Sequence, residues 1–214
     1  MVSYQDALAR QLECVESGEE SLVICTHPPV VTLGRGSKPG DVFGWTGETV
    51  EVSRGGRATY HGPSQVVIYP ILNLNQKRSE LPARDLHAYM RVLEQATIAT
   101  LHEFGIQAAT HDELSAPNGI NEIQGSDDPS FTGVWVRVGD SVKKIASIGI
   151  GVKKWISYHG LALNVSHDPV AHTGINPCGF QREVMTSMEE VLGKAVDMAA
   201  IERTLISVLI SYLS

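Results

Sequence analysis

Hydrophobic positions along the chain recur with two different periods, and the switch between them marks out the elements. Tyr4, Leu8, Leu12 and Val15 follow helical spacing and Gly18 comes next, which predicts an opening amphipathic helix stopped by the glycine. SLVIC (21–25) then reads as a strand. Beyond Pro28-Pro29, VVTLG and the alternating TVEVS predict further strands, joined by a glycine-containing loop from Arg35 to Gly44. QVVIYPILNLN (65–75) is apolar enough for a buried strand, although Pro70 lacks a ladder donor and suggests an edge or a bulge. The first half is rich in sheet.

Between Pro82 and Gly105, the positions Leu86, Met90, Leu93, Thr97, Leu101 and Phe104 trace one helix face, with Gly105 as the C-terminal stop. APNGINEIQGSDDPS (116–130) is polar and turn-rich. GVWVRV-GDS-VKKIASIGIGV predicts a hairpin, and KWISYHGLALNV one more strand. The stretch from His167 to Glu183 has no periodicity and reads as a long loop, the kind of segment that tends to carry function. Ser187 with Glu190 three residues later suggests a capped helix start, and Ile201, Leu205, Val208, Leu209 and Leu213 give a final amphipathic helix. No repeat or low-complexity tract interrupts the pattern, so residues 1–214 are read as a single domain.

Composition narrows the class. With 214 residues, 43% of them hydrophobic and 19% charged, the chain can bury a core without disulfide or metal. Its 17 basic and 24 acidic side chains give a net charge of −7, which argues against binding nucleic acid through phosphate neutralisation. The acidic, amphipathic start lacks the features of a secretion signal, and no apolar run is long enough for a membrane span. Cys14, Cys25 and Cys178 cannot all pair with one another and are not spaced as zinc ligands. A reducing cytoplasm, no metal and no cofactor are the expectation.

The cysteines differ in context. Cys178, in Pro-Cys-Gly within the aperiodic segment, has its sulfur in a loop and a glycine beside it that lets a substrate approach the backbone N–H, so it is the candidate nucleophile. The alternative is a small buried apolar residue, the commoner fate of a free cysteine, and Cys14 and Cys25 are read that way. A nucleophilic thiol needs a base or cation beside it. None of the eight histidines is tied to Cys178 by local context. Lys143, Lys144, Lys153 and Lys154 flank the apolar IASIGIGV, and Lys144 beside Ile145-Ala146 can act as neutral base or as countercharge, unless it is only a solvated strand end. SRGGRATYHGPSQ (53–65) sets Arg54, Arg57, Thr59 and His61 among glycines, which suits the polar ends of a ligand but also describes an ordinary glycine-rich turn. Gly149-x-Gly151 does not continue into a dinucleotide fingerprint, no phosphate loop occurs, His102-Glu103 lacks the second histidine of a zinc protease, and Ser147 lacks the first glycine of a nucleophile elbow.

THPPVVTLGRGS, RGGRATYHGPSQVVIYPILNL, KKIASIGIGV, YHGLALNV and INPCGF, taken in this order, resemble the lipoyl(octanoyl) transferase family over most of the chain. One departure is Ser64, where members commonly have glycine before the glutamine. The resemblance implies an α/β fold with a mixed, largely antiparallel sheet and flanking helices, shared with biotin and lipoate ligases and with class II aminoacyl-tRNA synthetase catalytic domains. It implies transfer of an octanoyl group from octanoyl-acyl carrier protein to a specific lysine of lipoyl domains, those of 2-oxoacid dehydrogenase complexes and of the glycine cleavage H protein. The transfer needs no ATP and is the first step of endogenous protein lipoylation. Cys178 then matches the acyl-carrying cysteine and Lys144 the lysine that perturbs it. Substrate contacts map onto Arg54, Gly55, Gly56, Arg57, Ala58, Thr59, Tyr60 and His61, onto Ser147, Ile148 and Gly149, and onto Gly160, Leu161 and Ala162.

From these positions, Ser147, Gly149, Gly160 and Ala162 are expected to be small enough to leave a slot for the acyl chain, and Arg35, Lys38, Arg54, Arg57 and the lysines near 144 and 154 to form a basic rim facing an acidic carrier. Two rival functions share part of the pattern. An ATP-dependent lipoate-protein ligase would carry a longer SGGG-type loop and need no cysteine at NPCG. A non-catalytic acyl- or lipoyl-domain binding module would keep the pocket without Cys178 and Lys144.

Overall fold

A strand buried on both faces reads as a continuous apolar run, and 65–71 is such a strand: every residue of it is buried. The computed structural model describes residues 1–115 and 129–214, so most of the predicted turn-rich segment 116–130 lies outside the described residues. In chain order the elements are α1 (Tyr4–Ser17), β1 (Ser21–Cys25), β2 (Val30–Leu33), β3 (Glu48–Glu51), β4 (Ala58–His61), β5 (Gln65–Ile71), α2 (Leu86–Glu103), β6 (Ala108–Ala109), α3 (His111–Ser115), β7 (Gly133–Val138), β8 (Ser141–Lys153), β9 (Ile156–Asn164), α4 (Met188–Leu192) and α5 (Met198–Leu213). A six-stranded sheet has the order β1-β5-β9-β8-β7-β6, and a three-stranded sheet the order β3-β2-β4. Among the described residues only the β2–β3 strand pair runs parallel, so the sheet system is mixed and largely antiparallel, as expected.

Side-chain alternation divides the large sheet into two faces. Val66, Ile68, Leu161 and Leu163 pack with α2 and α5, while Val67, Tyr69, Ile71 and Ala162 pack with α1. The result is three layers, with α1 on one side and α2 and α5 on the other. Both long helices start on aspartate caps, Asp85 accepting the Ala88 N–H and Asp197 that of Ala199, and the predicted capping box of Ser187 and Glu190 is formed. Ser3 caps α1 and Gly18 ends it at φ 75°. The buried stripe of α1 is Tyr4, Ala7, Gln11, Cys14 and Val15, with the predicted Leu8 and Leu12 only packed along its edge. The stripe is turned because Gln11 is needed inside, where its Oε1 accepts the His159 N–H at 2.7 Å.

Two strand expectations change. Pro70 does not mark an edge, because β5 lies between β1 and β9. Instead the β5–β9 ladder lapses after Ile68↔Leu161 and resumes at Asn73↔Ile156 without a change of register. The missing proline donor falls in that gap, and the Pro70 carbonyl takes the Ser157 hydroxyl at 2.9 Å. The strand predicted from KWISYHGLALNV starts only at Ile156, because the β8–β9 hairpin turns on Lys154 and Trp155, both left-handed at φ 52° and 63°, a twist that suits a two-residue hairpin.

Candidate active site

The glycine-rich loop after β3 folds across the large sheet. The Gly55 N–H bonds to the Ile150 carbonyl at 2.9 Å and the Ser53 hydroxyl meets that of Tyr158 at 2.7 Å, which roofs β8 and β9 on the α1 side. Beneath this roof runs a narrow crevice. Its walls include Arg54, Gly55, Gly56, Arg57, Thr59, His61, Ser147, Ile148, Gly149, Gly160, Leu161 and Ala162, and Lys144 and Cys178 both line it. Residues separated by more than a hundred positions in sequence thus share one cavity.

Lys144 reaches the crevice because β8 carries a bulge. The register runs Val134↔Ala146 and then Trp135↔Lys144, leaving Ile145 as an extra residue. Ile145 and Ala146 both pack toward α2 and α5, so the alternation resets and Lys144 joins Ser147 and Gly149 on the opposite face. Its side chain is 1% exposed. The Nζ donates to the Ser130 carbonyl at 2.9 Å and stands 5.3 Å from the Trp135 ring centre, a contact that favours a cation. Phe180, two residues after Cys178, packs against Trp135 and Phe131 and joins this aromatic wall to the cysteine turn.

Cys178 sits in the Pro177–Gly179 turn with φ 54° and ψ 17°, a left-handed conformation that non-glycine residues rarely take. Such strain costs on the order of 1–2 kcal/mol and persists only where the surroundings impose it. Here Asn176 fastens the turn to the loop between β2 and β3, its N–H donating to the Asp41 carbonyl at 2.8 Å. Arg57 lies over Gly179, where a Cβ would run into its guanidinium, and is itself held by Asp41 through Nε at 3.1 Å and a second bond from its terminal nitrogen. Burial works to raise the Asp41 pKa, but the Arg57 bonds and the Lys38 N–H outweigh it and hold the carboxyl below its usual range. Cys178 is half-buried, whereas Cys14 and Cys25 are packed in the core as expected. Burial pushes the Cys25 thiol up to about 11, far from a thiolate at neutral pH.

The deeper wall is made of neutral rings around one fixed charge. Burial pushes the Tyr4 phenol up to about 12 and, with the neighbouring Arg54 charge, pulls His159 down to about 3. His61 is likewise held well below its ordinary value, first by burial. Arg54 is 6% exposed and spends its terminal nitrogens on the carbonyls of Gly55, Arg57 and Thr32 and on the Thr32 hydroxyl, at 2.7–2.9 Å. Desolvation lowers its pKa, opposed by Tyr4, Cys178 and Tyr69. A thiolate at Cys178 therefore has a buried arginine as well as Lys144 in its field.

Two residues mapped to the site do not line the crevice. Ala58 and Tyr60 alternate with Thr59 and His61 along β4 and so face away, Tyr60 packing with Val31 and Ile175 and donating to Asp168 at 3.0 Å. Gly160 leaves no slot for a ligand, because a Cβ there would run into the Ile68 carbonyl and the Pro70 ring; its smallness serves the close approach of β5. At Gly149 a Cβ would stand 3.1 Å from Arg54 Cδ and 3.4 Å from the Gly55 carbonyl, inside the crevice. Sequence reasoning missed Tyr4, Tyr69, Ser130, Thr132 and His159 as wall residues. Tyr4 carried a legible signal, since a tyrosine on an apolar helix face brings a hydroxyl that needs a partner, here His159 at 3.3 Å.

The basic rim is smaller than expected. Arg54 and Lys144 are buried, Arg57 is engaged with Asp41, Lys153 pairs with Glu16 of α1 at the far end of β8, where the exposed Lys154 also lies, and Lys143 is half-buried, which leaves Arg35 and Lys38 exposed on the loop side. Ser64 accommodates its departure: its φ is not positive, and its hydroxyl donates to Asp168 at 3.1 Å. No helix among the described residues is long and apolar enough to cross a membrane.

Comparison with known proteins gives consistent results. Residues 2–210 match the model of the lipoyl protein ligase A/B catalytic domain. An octanoyltransferase of Bdellovibrio bacteriovorus is 44% identical over 96% of this chain and 92% of its own length. One from Citrifermentans bemidjiense is 39% identical, covering 91% and 84%. Among solved structures, a putative lipoate protein ligase from Thermoplasma acidophilum with bound lipoic acid aligns with TM-score 0.68 at 15% identity, over 100% of this chain and 82% of that one. A lipoate-protein ligase A bound with ATP aligns with TM-score 0.65 at 16% identity, over 96% and 79%. These two likenesses show the fold, which is that of the lipoate ligases.

Proposed function

The chain belongs to the lipoyl protein ligase A/B catalytic-domain family, and from that premise we propose that it is an octanoyltransferase using Cys178 as acyl carrier. The observation that carries this reading is the presence of Cys178 and Lys144 in one crevice, with the cysteine in a strained left-handed turn. The relatives named octanoyltransferase support the reaction class.

The donor is octanoyl-acyl carrier protein. A thioester exchanges onto another thiol with little change in energy, so no nucleotide is required. The Cys178 thiolate attacks the octanoyl carbonyl, a new C–S bond forms, the old one breaks, and the carrier leaves as a thiol on taking one proton from the Lys144 ammonium, which becomes neutral. Lys144 and Arg54 supply positive charge for the thiolate. In the second half, the neutral amine of a lipoyl-domain lysine attacks the acyl-cysteine, an amide C–N bond forms, the C–S bond breaks to return the Cys178 thiolate, and the surplus amine proton passes to Lys144, which becomes the ammonium again. The acceptors are the lipoyl domains of 2-oxoacid dehydrogenase complexes and the glycine cleavage H protein. Gly149 lets β8 pass close beneath Arg54 and the Gly55 carbonyl, which form the wall the chain would lie along.

The test is transfer from octanoyl-acyl carrier protein to an apo lipoyl domain in the absence of ATP. We expect octanoylated acceptor from the wild type and none from Cys178→Ser. Transfer that requires ATP and free octanoate, and that survives Cys178→Ser, would make the protein a ligase instead.

A further inference from the structure

Glu94 is a buried acid that the chemistry above does not use. It lies on α2, in the layer across the sheet from the crevice, and is 8% exposed. Its Oε1 accepts the N–H of Gly133, the first residue of β7, at 2.8 Å. Gly133 in turn lies against the lysine: a Cβ built on it would stand 2.9 Å from Lys144 Cε. The carboxylate and the lysine stem therefore clasp the same backbone position from two sides.

We propose that Glu94 is a positioning residue that, together with the Ser130 carbonyl and the Trp135 ring, holds Lys144 as the ammonium partner of the Cys178 thiolate. The inference rests on the octanoyl-transfer reading of the site and adds to it the group that sets the charge of the lysine. A carbonyl oxygen, an aromatic face and a carboxylate all stabilise the cation over the neutral amine. Burial pushes the Glu94 carboxyl up, and the Gly133 N–H, Lys144 and Arg91 pull it back. The other groups facing the pair are Glu113 and His111 on α3 and Cys178 on its turn. His111, lowered chiefly by burial, adds no positive charge at neutral pH.

Glu94→Gln keeps an oxygen for the Gly133 N–H and removes only the charge, which separates the electrostatic role from a structural one. The Lys144 ammonium is followed by nitrogen-detected NMR of labelled protein as the pH is raised, a readout that does not require transfer. In Glu94→Gln the signal is expected to vanish at least about half a pH unit earlier than in the wild type, roughly a threefold loss of proton affinity. The alkaline limb of acyl-enzyme formation should move in the same direction. Unchanged NMR behaviour in a folded Glu94→Gln would overturn the proposal. Should that variant not fold, the reciprocal measurement serves: in Lys144→Met, the Glu94 carboxyl carbon should titrate at higher pH, and an unmoved titration overturns the proposal equally. A shifted ammonium signal in a protein that forms no acyl adduct would instead uphold the charge role and defeat the transfer reading.

Discussion

Cys178 and Gly149 show how single positions set the chemistry. A left-handed cysteine beside Gly179 is held by backbone bonds from Asn176 and by the arginine packed over the glycine, so the sulfur is aimed by its turn rather than by its rotamer alone. Gly149 does complementary work by letting β8 pass close beneath Arg54 and the Gly55 carbonyl. Gly149→Val should lower octanoyl transfer at least about tenfold, since its side chain pushes against Arg54 and the Gly55 carbonyl in the crevice wall, and should lower the melting temperature as well because Arg54 is buried and hydrogen-bonded through its terminal nitrogens. A transfer rate equal to the wild type's would show that the acyl chain lies elsewhere. Ala, with one methyl, should fall between the two.

Among the elements, those with plain periodicity were legible. The opening helix, the long helix after Pro82, the β7–β8 hairpin and the capping box follow from side-chain spacing and cap chemistry, which are local. What the spacing cannot carry is a break in alternation. The bulge that leaves Ile145 extra, and the φ of 57° at His159 that sets Tyr158 and His159 against one another at 4.7 Å, arise from contacts across the fold. These two irregularities place Lys144 and His159 in the crevice wall. The segments picked out by motif order line one crevice, whereas β4 alternation decides that Thr59 and His61, not Ala58 and Tyr60, face it. At His159 the distorted strand depends on α1, because the Gln11 amide satisfies its buried N–H. Gln11→Ala should therefore cost about 1–3 kcal/mol in urea unfolding, the penalty of an unsatisfied buried donor. A loss below about 0.5 kcal/mol would mean that the strand holds its shape without the helix.

For the whole molecule, buried neutral histidines make stability depend on pH in a defined sense. His159 is held down to about 3 and His172 to about 4, both first by burial, from an ordinary value of 6.5. Above 6.5 neither the folded nor the unfolded state binds the proton; as the pH falls, the unfolded chain binds it first, so stability is lost from 6.5 downward toward the folded values. Asp41 and Glu190, held below the usual carboxylate range, add their loss only at lower pH. The melting temperature should fall steadily between pH 7 and pH 5, and a flat profile there would contradict the burial of these rings. The same burial keeps His61 and His159 neutral, so the basic side chains of the crevice wall near Cys178 are Arg54, Arg57 and Lys144, a distribution that suits a thiolate and an acyl group bound to it. The most direct test is intact-mass measurement after incubation with octanoyl-acyl carrier protein and no acceptor. The wild type should gain one octanoyl group that hydroxylamine removes and that Cys178→Ala never acquires; an adduct that persists in Cys178→Ala, or no adduct on the folded wild type, would contradict the assignment.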